Sequence, residues 1–241
     1  MPGLYKDEAV VLKTIKLGEA DRIVTLLTRS HGKVRAVAKG VRRTKSRFGA
    51  RLEPFTHVDL LVYNGRNLDT ITSAHIIEPF ARIRADYGRV TAATALVELV
   101  EKISPEREKS VPTYSLLLGG LQAVANGGGS TIVPAFLIKL LSLSGYHPQL
   151  RTCAGCGRVD GLSAFSSAIG GAVCESCWRD DHDAVGLTSD RIDLLSLLLA
   201  SDFGQAATPD AVVEITQILK NYAEYHLESP LRTIRYLTTP A

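Results

Sequence analysis

The hydrophobic pattern of the first 80 residues is typical of short β-strands. β-Branched and aliphatic residues stand in short runs, and turn residues separate these runs at close intervals. The pattern predicts five strands, near residues 8–16, 21–28, 33–39, 55–63 and 68–77. Ser30-His31-Gly32 and Asn64-Gly65-Arg66 are predicted hairpin turns, in which Gly or Asn can adopt a positive φ at little cost.

Residues 40–54 lie between the third and fourth predicted strands and contain few apolar side chains. We therefore predict a long loop there. Five strands with such a loop indicate a small closed barrel, because closure removes exposed strand edges, and the OB fold is the common five-stranded case. The sequence predicts an OB-fold β-barrel domain over residues 1–80.

The period of the apolar positions changes to about 3.6 after Glu78-Pro79, which indicates helices. Leu96, Leu99, Val100 and Ile103 share one helical face. Further helices are predicted near residues 111–125 and 131–145, from residue 188 or 189 onwards, and from residue 208 onwards. The predicted fold class is α+β, with the barrel followed by an α-helical domain over residues 81–241.

Composition places the chain among proteins that can bury a core, since 45% of its 241 residues are hydrophobic and 22% are charged. No apolar run approaches the roughly 18 residues that a membrane-spanning helix needs. Lys6, Asp7 and Glu8 stand where an export signal would have its apolar segment. We expect a cytoplasmic, nucleoid-associated protein that does not enter a membrane.

Positive charge is concentrated at the N-terminal end. The net charge is +3, but residues 1–80 hold 14 Lys and Arg against 8 Asp and Glu, and residues 22–52 contain ten basic residues and no acidic one. Such a run attracts phosphates, and an aromatic ring within it could stack on a base. The predicted nucleic-acid-binding residues are Lys39, Arg42, Arg43, Lys45, Arg47, Phe48 and Arg51. A solvated loop anchored by Phe48 in the core remains an alternative.

All four cysteines stand in two Cys-x-x-Cys pairs, Cys153 with Cys156 and Cys174 with Cys177, and 17 residues separate the pairs. This spacing predicts a four-cysteine zinc finger, inserted into the helical domain at about residues 150–182. Because four thiolates fill the tetrahedron, one Zn²⁺ per chain would be structural and would not activate water. Redox-active pairs, reduced buried thiols, or His182 in place of one ligand are the alternatives.

Motifs for enzymatic chemistry are missing from the sequence. Gly127-Gly128-Gly129 is not followed by the Lys-Ser/Thr of a phosphate-binding loop, and there is no G-x-S-x-G or H-E-x-x-H. We therefore predict that the protein is not an enzyme.

The order of these features resembles that of the bacterial RecO family of recombination mediators. Segments similar to the family's signatures are residues 7–12, 18–24, 32–33, 38–43, 47–49 and 52–55. The resemblance implies a non-catalytic DNA repair protein of the RecF recombination pathway that binds single- and double-stranded DNA and anneals complementary strands. It also implies three partners: RecR, the C-terminal tail of the single-stranded-DNA-binding protein, and RecA, which is loaded onto coated strands.

Other classes of function stay open at this point. The basic loop could meet an acidic protein in an interaction hub, or the barrel could bind RNA, because phosphate contacts do not separate RNA from DNA. A metal-dependent nuclease would need a carboxylate cluster, and the sequence shows none.

Overall fold

The computed structural model describes residues 3–179, 181, 183–200 and 207–238. Within this part of the chain, no helix is both long and apolar enough to cross a membrane. The chain divides into two compact units. The first contains residues up to Ala93 together with Val100–Ala125, and the second contains Thr94–Leu99 and the residues from Asn126 onwards.

Five strands form a closed barrel in the order β1-β2-β3-β5-β4, and β4 pairs back with β1. Only β3 and β5 pair in parallel; the other neighbours are antiparallel. The strands are β1 Leu4–Leu17, β2 Asp21–Thr28, β3 Gly32–Ala38, β4 His57–Tyr63 and β5 Asp69–Glu78. The barrel and the helices that follow it confirm the predicted fold class.

The two predicted hairpin turns use glycine for different reasons. Gly32 has a φ of +68°, as expected, and a Cβ there would lie 2.1 Å from the carbonyl oxygen of Glu108. Gly65 has no positive φ, so our interpretation of the second turn needs correction. A Cβ at Gly65 would lie 2.0 Å from the Leu68 carbonyl oxygen, and close approach of the backbone is what requires glycine.

Helices also belong to the barrel's unit. They are α1 Ala81–Arg84, most of α2 Tyr87–Ile103, and α3 Val111–Ala125. The α3 side chain of Tyr114 hydrogen-bonds His57 on β4, with 2.8 Å between hydroxyl oxygen and Nε2, and Glu101 near the end of α2 accepts from Lys13 on β1. Val10 and Leu27 are buried although they point out of the barrel, because this side is covered.

A buried carboxylate links the barrel to the connection between α2 and α3. Asp69 is fully buried at the start of β5, where it accepts hydrogen bonds from the Tyr5 hydroxyl at 2.7 Å and the Arg107 guanidinium at 2.8 Å. A buried carboxylate needs such partners, because an unpaired charge in the interior is costly. Burial, followed by the hydrogen bond to Asp69, raises the pKa of Tyr5 far above its ordinary value of 10.

The second unit contains α4 Ile132–Leu143, α6 Ser189–Ala200, α7 Pro209–Leu227 and the short α8 Arg235–Thr238. Helix α4 is buried on nearly all sides. The Thr208 side chain accepts a hydrogen bond from the Ala211 amide and so caps α7, with Pro209 at the first helical position. These helices confirm the helical prediction for this part of the chain.

The predicted insertion contains a small sheet that the sequence analysis did not anticipate. Its strands are β6 Leu162–Ser166, β7 Gly171–Cys174 and β8 Val185–Gly186, with β6 in the centre and both pairings antiparallel. One turn of helix, α5 Glu175–Trp178, follows β7 directly. The sheet and α5 position the two cysteine pairs.

Candidate nucleic-acid interface and metal centre

The segment between β3 and β4, predicted as a loop, includes one 3-10 turn, Gly49–Leu52. Phe48 and Leu52 at the two ends of this turn are 1% and 2% exposed and belong to the barrel core. Their burial pins the segment to the barrel. It also changes the interpretation of Phe48, since a ring in the core is not accessible to a stacked base.

Several of the predicted basic residues hold the segment in place. The Arg42 guanidinium donates to the carbonyl oxygens of Gly18 and Glu19, at 3.1 and 2.9 Å, in the turn between β1 and β2. The Arg51 guanidinium donates to the carbonyl oxygen of Arg47. The guanidinium carbon of Arg47 lies 5.0 Å from the centre of the Phe48 ring, which is a cation–π distance.

The remaining predicted cations have free head groups. Lys39, Arg43 and Lys45 are exposed, and their side chains make no hydrogen bond or ion pair within the described residues. Arg35, which points outward from β3, is in the same state. By contrast, Arg22 is engaged in an ion pair with Glu53 at 2.9 Å. The four free cations can meet an anionic ligand without first breaking an internal contact.

The four cysteines lie together, with all their sulfur atoms within 4.8 Å of one another. Cys156 Sγ and Cys174 Sγ are 3.7 Å apart. A tetrahedral zinc ion with Zn–S bonds of about 2.3 Å places its sulfurs roughly 3.8 Å apart, so the cluster has the dimensions of such a site. The four residues could hold a metal ion.

Backbone geometry at the first cysteine pair supports this assignment. The Cys174 amide lies 3.3 Å from Cys153 Sγ and donates to it. Burial raises the pKa of the Cys153 thiol, but amide N–H groups of Cys174, Cys156 and Gly155 outweigh burial and bring this pKa to about 6. Neighbouring thiols, by contrast, raise the pKa of Cys177 to about 12. Four adjacent thiolates repel one another, so a cation is needed to stabilise them all.

Trp178, the only tryptophan in the sequence, packs beside this cluster. Its indole nitrogen donates to the Ala184 carbonyl oxygen at 3.3 Å, and its ring lies against Gly186 of β8. His182, the alternative ligand in the sequence analysis, lies outside the described residues.

Sequence reasoning missed the anchoring roles of Arg42 and Arg107. Each guanidinium binds oxygens that are more than 20 residues away in the chain. No local pattern marks such partners. A basic residue beside a free phosphate ligand and one clamped to a carbonyl look alike in the sequence.

A closed five-stranded barrel with a cationic segment, joined to helices that carry a four-cysteine cluster, defines a protein of the OB-fold class with a candidate metal centre. Two family models match the chain: recombination protein O N terminal over residues 1–80, and recombination protein O C terminal over residues 84–235.

Three similar relatives carry the name DNA repair protein RecO. They come from a Nocardioides species (45% identity, 97% of this chain and 99% of the relative), Bifidobacterium longum strain DJO10A (43%, 97% and 98%) and Streptomyces coelicolor (44%, 97% and 98%). The chain belongs to the RecO family, and it is a DNA repair and recombination protein.

Proposed function

We propose that this protein binds single- and double-stranded DNA through its barrel and anneals complementary strands. In this proposal it acts with RecR and the C-terminal tail of the single-stranded-DNA-binding protein to load RecA onto coated strands. Residues 1–80 form the nucleic-acid-binding domain, and residues 81–241 form the helical domain, with the metal-binding insertion at about residues 150–182. The protein catalyses no reaction itself, because holding and pairing strands requires no catalytic residue.

One observation carries the DNA-binding proposal. Lys39, Arg43 and Lys45 stand exposed on a segment that the core anchors through Phe48. The side chains are unoccupied but their backbone is fixed, so contacts with phosphates would cost little ordering of the protein. No base-reading arrangement accompanies these cations, which favours contacts with the DNA backbone over sequence recognition.

The cysteine cluster is proposed to hold one structural Zn²⁺ through Cys153, Cys156, Cys174 and Cys177. Four sulfur ligands leave no position for a substrate or an activated water, so the ion would stabilise the insertion alone. Its binding energy would be part of the folding free energy of the small sheet and α5.

The test is the affinity for a fluorescent single-stranded oligonucleotide, measured over a range of salt concentrations. Each phosphate neutralised on a single strand contributes about −0.7 to the slope of log K against log salt. We expect the triple variant Lys39→Ala, Arg43→Ala, Lys45→Ala to bind more weakly and to reduce the magnitude of the slope by about 2.

A matched control removes three exposed cations elsewhere: Lys109→Ala, Arg158→Ala and Arg232→Ala. It should keep the wild-type slope. Equal slopes for both triple variants would contradict the assignment of the phosphate contacts, and the absence of binding by the wild-type protein at low salt would contradict DNA binding altogether. Parallel titration with RNA of the same sequence tests the choice of DNA as ligand.

A further inference from the structure

Three aliphatic side chains form a row on the outer face of the barrel. Ile15 lies opposite Ile23, and Ile23 lies opposite Val37, so the row crosses β1, β2 and β3. Val24 and Ala36 belong to the barrel core, and successive side chains of a strand alternate between faces, so Ile23 and Val37 point outward. We call Ile15, Ile23 and Val37 the aliphatic row.

The aliphatic row is accessible, although the neighbouring part of the same face is covered. Ile15 is 44% exposed, and Ile23 and Val37 are half-buried. Val10 and Leu27 on the same side of the barrel are buried. The strand spacing makes the row about 10 Å wide.

Free cations flank the row along β3. Arg35 precedes Val37 by two residues and shares its face, and Lys39 follows Val37 by two residues, just beyond the end of the strand. Both are among the exposed side chains for which the described residues provide no hydrogen-bond or ion-pair partner. In an extended chain these two positions are roughly 13 Å apart. The chain continues from Lys39 to Arg43, which is also free.

We propose that a single DNA strand crosses the β1-β2-β3 face, with its phosphates on Arg35, Lys39 and Arg43 and its bases against the aliphatic row. This inference rests on the proposed DNA-binding function and adds the path of the strand. Charge complementarity selects the occupant, because the free head groups along this path are all positive.

The aliphatic character of the row has a consequence for annealing. Stacking of a base on an aromatic side chain contributes about 1–3 kcal/mol per base and holds the base on the protein. A base held in this way must give up that contact before it can stack within a new duplex. Ile15, Ile23 and Val37 offer apolar contact without stacking. The strand is therefore held mainly by its phosphates, while its bases stay available for pairing.

The experiment introduces the missing aromatic ring. In the full chain, Ile23→Trp should increase the affinity for an oligothymidine at least about fivefold, as stacking energies of this size predict, and should slow the annealing of complementary oligonucleotides. Ile23→Asp should lower the affinity, because it places a negative charge on the path of the strand. Ile77→Trp is the matched control: Ile77 is 47% exposed on β5, away from the row, and should leave affinity and annealing unchanged.

Each result decides between the alternatives. If the wild-type protein binds the oligonucleotide but Ile23→Trp and Ile77→Trp behave alike, the proposed path is wrong and DNA binding stands. If Ile23→Asp folds and keeps full affinity, the row faces another ligand, such as a polypeptide, and the inference is overturned. If the wild-type protein shows no binding even at low salt, the proposed function itself fails.

Discussion

Replacing Phe48 separates two roles that the sequence analysis left open for this residue. The ring is 1% exposed in the barrel core, where it anchors the cationic segment. Phe48→Ala removes buried apolar surface and leaves a cavity, and such changes cost about 3–5 kcal/mol. We expect this loss because the closed barrel around the ring has little room to collapse.

The assay must resolve the two compact units, since one unfolding curve for the whole chain is not necessarily two-state. Hydrogen exchange of β2 and β3 amides reports the barrel, whereas fluorescence of Trp178 reports the second unit. In Phe48→Ala the barrel transition should fall by roughly 10 °C or more, while the Trp178 transition stays near its wild-type temperature.

Phe48→Leu is the companion variant. It keeps most of the apolar volume, so it should cost less than about 1.5 kcal/mol. It should also keep the affinity for single-stranded DNA, because that affinity is assigned to lysine and arginine head groups. A stable Phe48→Ala protein, together with a loss of DNA affinity in Phe48→Leu, would refute the anchoring role and indicate that the ring stacks on bases.

Three further predictions concern metal, pH and backbone geometry. Cys153→Ser should lose zinc, measured by elemental analysis, and lower the Trp178 unfolding temperature; full stability without metal would contradict the structural role, and Ser176→Ala is the control. Burial holds the pKa of His57 below its ordinary 6.5, despite Glu8 and Glu78, so the unfolded state binds more protons and stability should fall as the pH drops below about 6.5. His57→Gln should flatten this dependence in urea titrations, and an unchanged pH profile would refute it. Gly32→Ala should destabilise the barrel by more than about 1 kcal/mol in the same titrations, given its positive φ and the Glu108 backbone beside it, and a neutral effect would contradict this.

Periodicity was sufficient to predict the barrel strands and the longer helices, because each buries one face over many residues. The strands of the small cysteine-bearing sheet contain two to five residues, too few to show a period. Cysteine spacing nevertheless predicted the cluster correctly, since two Cys-x-x-Cys turns constrain their own geometry.

Long-range partnerships were beyond local reasoning. Asp69 and Arg107 are 38 residues apart, and neither carries a local sign of the other. Phe48 illustrates the same limit at the candidate interface: an aromatic residue in a basic run is compatible with either stacking or burial, and only the packing around it decides.

The pairing of Asp69 with Arg107 has a consequence for the newborn chain. A ribosome that has just completed β5 has released neither the guanidinium for this carboxylate nor the helix that covers Val10 and Leu27. The barrel strands must therefore wait for about 40 more residues before their polar and apolar surfaces are satisfied. We expect nascent chains arrested with residue 95 outside the exit tunnel to be cleaved readily by protease in the barrel, and those arrested with residue 125 outside to resist. Translation order thus makes the helical connection, and not the last strand, the step that completes the N-terminal unit.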